Sequence, residues 1–337
     1  MRRSLLLSVL LLIVVSAVLV TSAAAQLRRV PSGRVLRPPT TRLEPIKPAT
    51  GTVRPADVFF STEEDFISEK ATTAAGGYVS DGDLLTGTGQ IFRRNKELLL
   101  VFNVAEDLGL DAADVIWVSD DARTSLIAFS TELDDPRGRF TAGDLLATNG
   151  AILPNAALLA AHRIPPRLDL GLDAVHFTGK VEGIRRFLDD VKSRGPIYWV
   201  QNPNALLELL KSANVDLWFS TEGTAPPVNR PRFLDGDLLS IKGGIIAANG
   251  VLLPASVPAG IPSRGVDFGL DAVLSDRSGK REPIVFSTSL LFQGRPAFTD
   301  GDGLRINNGV VIPHTNLISP FSPKARFLGL DALSLRR

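Results

Sequence analysis

Two sets of four aspartates recur at matched positions along this chain, and they are the residues whose type and spacing most invite chemistry. Asp111, Asp173, Asp271 and Asp331 each stand third in a Gly-Leu-Asp-Ala phrase, while Asp83, Asp144, Asp237 and Asp302 each follow the glycine of a Gly-Asp phrase. Carboxylates placed this way can ligate a hard cation such as calcium, which takes six to eight oxygens. They can equally cap unpaired backbone N–H groups at turns and strand starts. The stretch FTDGDGLRINNG, Phe298 to Gly309, looks most like a calcium loop. The full alternating run of carboxylates closed by a glutamate is absent from the chain, however. The leading aspartate of the phrase is also dispensable: Asp81, Asp235 and Asp300 open three copies, but Ala142 opens the second. Four "GLDA" carboxylates facing one another without a cation would repel and raise their own pKa values. Either they point apart or something positive sits between them; no cofactor is established by the sequence, and calcium is the candidate. A further candidate is the cluster Tyr198, Trp199, Gln201 and Asn202, whose aromatic faces and amides suit a sugar or peptide ligand. The alternative is that Tyr198 and Trp199 belong to a buried strand.

Standard catalytic signatures are missing: no G-x-S-x-G elbow, no H-E-x-x-H helix, no G-x-x-x-x-G-K loop. The three histidines, His162, His176 and His314, fall at unmatched positions, which argues against a shared zinc site. With no cysteines, disulfides, thiolate metal sites and cysteine nucleophiles are excluded. Among 36 acidic residues, a carboxyl pair roughly 5 to 10 Å apart could act on a polysaccharide, but nothing in the sequence singles one out.

The elements that must position these residues come in four copies. Each unit opens with an aromatic or apolar residue before Phe-Ser-Thr ("FFSTE" at Phe59, "AFSTE" at Ala128, "WFSTE" at Trp218, "VFSTS" at Val285). It continues through the Gly-Asp phrase and a turn with a short apolar run ("TGQIF" at Thr88, "NGAILP" at Asn149, "NGVLLP" at Asn249, "NGVVIP" at Asn308). It closes with "GLDA". Asn-Gly between apolar runs is a strong hairpin signal, so each unit is expected to supply about four short strands and a helical turn such as "NAALLAAH". The chain opens on a "FSTE" strand that lacks its "GLDA" partner and ends on a "GLDA" strand that lacks its "FSTE" partner. Pairing the last strand with the first would leave no open edge at the seam, which is the logic of a four-bladed β-propeller. The expected fold class is therefore all-β, with units over residues 56–113, 114–177, 215–273 and 274–337. Residues 178–214 break the repeat. Val181, Ile184, Phe187, Leu188 and Val191 share one helical face ending at Gly195-Pro196. "PIYWVQNPNALLELL" then reads either as a remnant of a fifth blade or as a helical excursion.

The phrase "LDAA" at Leu110 to Ala113, followed by an aromatic-rich strand, resembles the Asp-Ala-Ala start of blades in hemopexin-like four-bladed propellers. That resemblance implies aspartates near a central channel that holds ions. The family's glycine and tyrosine in the second strand and its closing disulfide are absent here. The "FSTE", "GDLL" and "GLDA" pattern also resembles uncharacterised secreted bacterial repeat proteins, which implies no activity.

Residues 1–25 read as a signal peptide: Arg2 and Arg3, an apolar run from Leu5 to Val20, and small residues before Gln26. An uncleaved anchor is the alternative. Residues 26–55 form a basic linker with seven basic residues against Glu44 alone and six prolines. The remaining 56–337 carries 28 basic and 35 acidic residues, a sign that argues against nucleic acid. The expectation is a secreted or periplasmic monomer with no membrane span after signal cleavage. Its role would be a non-catalytic binding or structural module for an extracellular carbohydrate or protein, with a polysaccharide hydrolase or lyase as the alternative.

Overall fold

Runs such as "VFFS" and "LIAF" are apolar at nearly every residue, which suits strands covered on both faces rather than one. A computed structural model describes residues 53–336 apart from 71–76, 228–230, 263, 281–283 and 326. The expected signal peptide and nearly all of the basic linker lie outside the described residues. The first unit comprises β1 (Val58–Ser61), a small extra pair β2 (Phe66–Ile67) and β3 (Tyr78–Val79), then β4 (Leu84–Thr86), β5 (Gln90–Arg93) and the short helix α1 (Asn95–Leu98). The second has β6 (Ala113–Trp117), β7 (Leu126–Phe129), β8 (Leu145–Ala147), β9 (Ile152–Leu153) and α2 (Asn155–Leu158). In the third, β10 (Val175–Thr178) leads into helices α3 (Val181–Arg194), α4 (Pro196–Gln201) and α5 (Pro203–Ala213). Next come β11 (Asp216–Phe219), β12 (Leu238–Ser240), β13 (Ile245–Ala247) and α6 (Asn249–Leu252). The fourth has β14 (Val273–Leu274), β15 (Val285–Phe286), β16 (Gly303–Arg305), β17 (Val310–Ile312) and α7 (His314–Ile318), and the final strand is β18 (Ala332–Leu335).

The strands form four antiparallel sheets of four, ordered β18-β1-β4-β5, β6-β7-β8-β9, β10-β11-β12-β13 and β14-β15-β16-β17. This is an all-β architecture with few helices. The last strand pairs with the first over its full length, from Val58 opposite Leu335 to Ser61 opposite Ala332, as the chain ends led one to expect. In each sheet the strand that follows "GLDA" is the first, and these first strands lie against one another: β6 touches β10 and β18, and β14 touches β10 and β18.

Successive side chains of a strand point to opposite faces, and here the two faces serve different cores. Phe59 packs with Leu84, Val115, Ile127 and Phe129, between the first sheet and the second. Its neighbour Phe60 packs with Leu274, Val285 and Ile312, between the first sheet and the fourth. Two further cores lie between the second and third sheets and between the third and fourth. The Phe-Ser-Thr phrase supplies the polar counterpart. Ser61, Ser130, Ser220 and Ser287 are each fully buried. Their hydroxyls donate to the backbone carbonyls of Leu110 (3.3 Å), Leu172 (2.7 Å), Leu270 (2.5 Å) and Leu330 (3.3 Å). Each of these leucines is the second residue of the next sheet's "GLDA", so the links run from sheet to sheet and from the fourth back to the first. The adjoining threonines, Thr62, Thr131, Thr221 and Thr288, turn the chain by donating to the carbonyl two residues on.

One expectation needs correcting, and one alternative is decided. Asn249-Gly250 makes no hairpin turn. Gly243 and Gly244, at φ 96° and 92°, turn β12 into β13, and Asn249 opens α6 instead. Residues 181–213 contain no strand, so the "PIYWVQNPNALLELL" segment is a helical excursion. Proline opens both α4 and α5, where its missing N–H costs nothing.

Three residues beyond the "GLDA" aspartates, the first strands carry a second polar layer of Asp114, His176 and Ser334. Arg277, from the β14–β15 connection, reaches into it and donates to both Asp114 oxygens (2.6 and 2.5 Å) and to the carbonyls of Phe177 and Val115. Ser334 and the Phe177 amide donate to the same carboxylate. Burial alone would push Asp114 up, but the Arg277 guanidinium, with His176 behind it, holds it below the usual carboxylate range. Replacing Arg277 with Met leaves that charge buried and uncompensated, an expected loss of about 3–5 kcal/mol by urea denaturation. Adding Asp114→Asn is expected to recover much of it.

Candidate functional site

The "GLDA" turn owes its shape to glycine. Gly109, Gly171 and Gly269 have φ of 73°, 74° and 70°, a region that favours residues without a Cβ. A side chain on any of the four "GLDA" glycines would collide with the residue closing the Phe-Ser-Thr phrase of the same sheet: Glu132, Glu222, Ser289 and, for Gly329, Glu63. Each glycine is thus the seat of a glutamate, except in the fourth unit, where serine takes the place.

This packing brings seven carboxyl groups together: Asp111, Asp173, Asp271 and Asp331 with Glu63, Glu132 and Glu222. The four aspartates are only 5 to 8% exposed. Burial pushes each well above the usual carboxylate range, and their mutual repulsion adds to it. Asp173 feels Asp271, Asp111 and Asp331, and Asp331 feels Asp111 and Asp271. Glu222 and Glu132 push Asp111 up further. Ser289 donates to Asp271 Oδ1. Glu63 and Glu132 are each pushed up to about 7, first by burial and then by the acidic neighbours Asp300 and Asp81 respectively. The oxygens Asp111 Oδ2, Asp271 Oδ2 and Asp331 Oδ2 are buried with no hydrogen-bond partner. Among the described residues, no three Asp, Glu or His side chains converge tightly enough to hold a metal ion as they stand.

The other predicted aspartates do something different. Asp83, Asp144, Asp237 and Asp302 each accept two backbone amides. Oδ2 takes the N–H three residues back (Ser80, Thr141, Leu234, Thr299), and Oδ1 takes the N–H of Asn95, Asn155, Asn249 or His314. They tie the start of the third strand to the helical turn after the fourth, which is the capping role that repetition favoured. In the first unit, Arg94 also bonds Asp83.

The residues receiving those bonds escaped the sequence reading. Asn95 and Asn155 each span two glycine carbonyls with their Nδ2, Gly82 and Gly109 in one unit, Gly143 and Gly171 in the other. Their Oδ1 accepts the Leu108 and Leu170 amides. His314 replaces asparagine in the fourth unit, and its Nε2 accepts the Leu328 amide. Aligning Asn249 with these residues rather than with Asn149 would have revealed the set. A second missed set is Asp107, Asp169 and Asp267, two residues before three of the "GLDA" glycines. Burial, with Asp235 beside it, pushes Asp267 up to about 8.

The Tyr198 cluster sits apart, on α4 and the joint to α5. Trp199 is fully buried in the core shared by the second and third sheets, and its indole N–H donates to the Val191 carbonyl (3.1 Å). Tyr198 is half-buried, with Arg194 stacked on its ring and bonded to its hydroxyl. Gln201 is exposed, and Asn202 donates to the Tyr198 carbonyl. Trp199 therefore offers no face to a ligand, and only Tyr198, Gln201 and Asn202 reach the surface. His162 and His176 lie in different cores and His314 in its turn, so the histidines share no site.

No protein-family model, no curated protein and no solved structure matches this chain.

The carboxyl cluster sets a pH dependence. Its groups hold protons in the folded chain that the unfolded chain has released once pH passes the ordinary carboxylate range, about 4 to 4.5. Stability therefore falls as pH rises through the window up to about 7, where Glu63 and Glu132 ionise. In chelator and low salt, the melting temperature is expected to decline from pH 5 to pH 8. The triple change Glu63→Gln, Glu132→Gln, Glu222→Gln should flatten that decline.

Proposed function

We propose that this chain is a secreted four-bladed β-propeller that serves as a non-catalytic binding or structural module. The observation that carries the reading is the cycle of serine-to-leucine hydrogen bonds, in which Ser287 of the fourth sheet reaches Leu330 at the head of the first. The pairing of β1 with β18 supports it, as does the core that fourth and first sheets share. In this reading each sheet is a blade, its first strand innermost, and the "GLDA" aspartates stand around the axis at one end. Secretion rests on the leader-like residues 1–25.

The axial carboxylates are the module's distinctive chemistry. Calcium is the metal their hard oxygens would take, held by Asp111, Asp173, Asp271 and Asp331. The unpartnered oxygens favour a cation, but their present separation falls short of a closed coordination shell. Asp83, Asp144, Asp237 and Asp302 are spent on backbone amides and leave calcium no comparable site.

The second reading, a hydrolase or lyase acting on polysaccharide, draws support from Glu63 and Glu132, whose pKa values near 7 suit general acids. It is weakened because neither glutamate lines the cleft formed by residues of the third unit. That cleft, about 420 Å³, is lined by Arg232, Phe233, Ile245, Val251, Ile261 and Arg264. Arg264 is bound there to three backbone carbonyls.

Removing Gly329–Arg337 tests the fold on which the reading rests. It takes away the partner of β1, the acceptor Leu330 and Asp331, and the truncated chain is expected to be unfolded, or to melt at least 15 °C lower by circular dichroism. A melting temperature equal to the full chain's would dismiss the closed ring.

A further inference from the structure

Other buried carboxylates in this molecule are answered by an arginine, as Asp83 by Arg94, Asp114 by Arg277 and Asp135 by Arg139, or by two backbone amides, as Asp144 and Asp237. The "GLDA" aspartates have neither. Among the described residues, the charged groups that act most strongly on Asp111, Asp173, Asp271 and Asp331 are carboxylates: one another, Glu63, Glu132, Glu222, Asp235 and Asp300. Three of these aspartates, each more than nine-tenths buried, keep an oxygen with no donor at all. A buried acceptor left unmade costs about 1–3 kcal/mol, and more when charged. The acidity also extends outward. Asp65, Asp81 and Asp107 reach Glu132, and Asp300 and Glu64 reach Glu63. All of these belong to the connections between second and third strands or to the residues just before "GLDA".

Resting on the closed-ring reading above, we infer that the "GLDA" end of the first strands takes a basic peptide, one of whose lysine or arginine side chains enters between Asp111, Asp271 and Asp331. Donor geometry separates this ligand from a metal ion. Calcium demands several oxygens at about 2.3–2.6 Å from one point, and no three acidic or histidine side chains among the described residues converge so closely. A guanidinium presents five N–H donors in a broad planar fork, and an ammonium three, each reaching its own acceptor at about 2.7–2.9 Å. Carboxylates spread around an axis suit such a group. The outer acidic residues then attract the neighbouring positive charges of a peptide, which a lone amine would not use. Such outer charges govern mainly the association rate and its salt dependence.

The test is fluorescence anisotropy of a labelled nona-arginine peptide with the full chain at about 150 mM salt, with nona-glutamate as control. Asp271→Asn combined with Asp331→Asn is expected to weaken nona-arginine binding at least tenfold. The far-ultraviolet circular dichroism and melting temperature should be unchanged or improved, since like charges are removed. Asp107→Asn, outside the axis, is expected to change affinity threefold or less and to reduce the salt slope. Calcium at about 1 mM should leave the peptide bound. If the double variant does not fold, Asp111→Asn alone provides the same comparison. Binding unchanged by the axial variants, equal binding of nona-glutamate, or displacement of the peptide by micromolar calcium would each overturn the inference. Absence of peptide binding in a chain that the Gly329–Arg337 deletion does unfold would overturn this inference while leaving the closed ring standing.

Discussion

The buried hydrogen bond from the Phe-Ser-Thr serine to the "GLDA" leucine carbonyl is the contact on which the remaining geometry depends. A leucine carbonyl at the entry to a first strand has no ladder partner there, and a buried acceptor without a donor is costly. The serine supplies the donor from the preceding sheet, so each first strand starts at a height dictated by its neighbour. The bond recurs at all four junctions, so each "GLDA" turn is tied at the same residue to the sheet before it. An apolar contact could hold the sheets face to face, but it is non-directional and would not fix this register.

That register has an electrostatic consequence which the chain answers twice, in different ways. In the layer of Asp114, His176 and Ser334, symmetry is abandoned. A single carboxylate is matched by a single arginine that also satisfies two backbone carbonyls, so the carboxylate's charge is answered within the layer. In the "GLDA" layer symmetry is kept, and four aspartates are held near three glutamates with protons and one serine as their only relief. The helical excursion α3 to α5 shows that the chain can spend asymmetric residues on packing. Trp199, Phe187 and Ile184 complete the core between the second and third sheets. Arg185 covers the half-exposed face of Trp117. No such filler was spent on the "GLDA" carboxylates.

Much of this was legible from the residues. The Asn149 turn, the buried face of α3 and the pairing of chain ends all follow from local rules of turn chemistry, helical period and unpaired edges. What was not legible followed from one residue type serving two roles. Asn149 turns a hairpin and Asn249 begins a helix, yet both precede glycine. Only the spatial equivalence of Asn249 with Asn95 and Asn155 tells them apart. The aspartate sets were equally ambiguous from sequence, since a repeated carboxylate may cap or ligate. Structure separates them by counting donors: two backbone amides for Asp83 and its equivalents, none for Oδ2 of Asp111, Asp271 or Asp331. Trp199 shows the limit of composition, because an aromatic beside amides suits a sugar site as well as a helix docked on a sheet.

Ser289 shows why the "GLDA" layer is more than a by-product of repetition. A strict repeat would place an eighth carboxylate beside Gly269, and serine there does two things at once. It removes a negative charge, and its hydroxyl binds Asp271 Oδ1, leaving Oδ2 alone unpartnered. If the layer were only to be made stable, the same substitution in the other three units, or an arginine as in the Asp114 layer, would serve better. Three glutamates are retained instead, so the layer keeps a net demand for positive charge with one neutral sector.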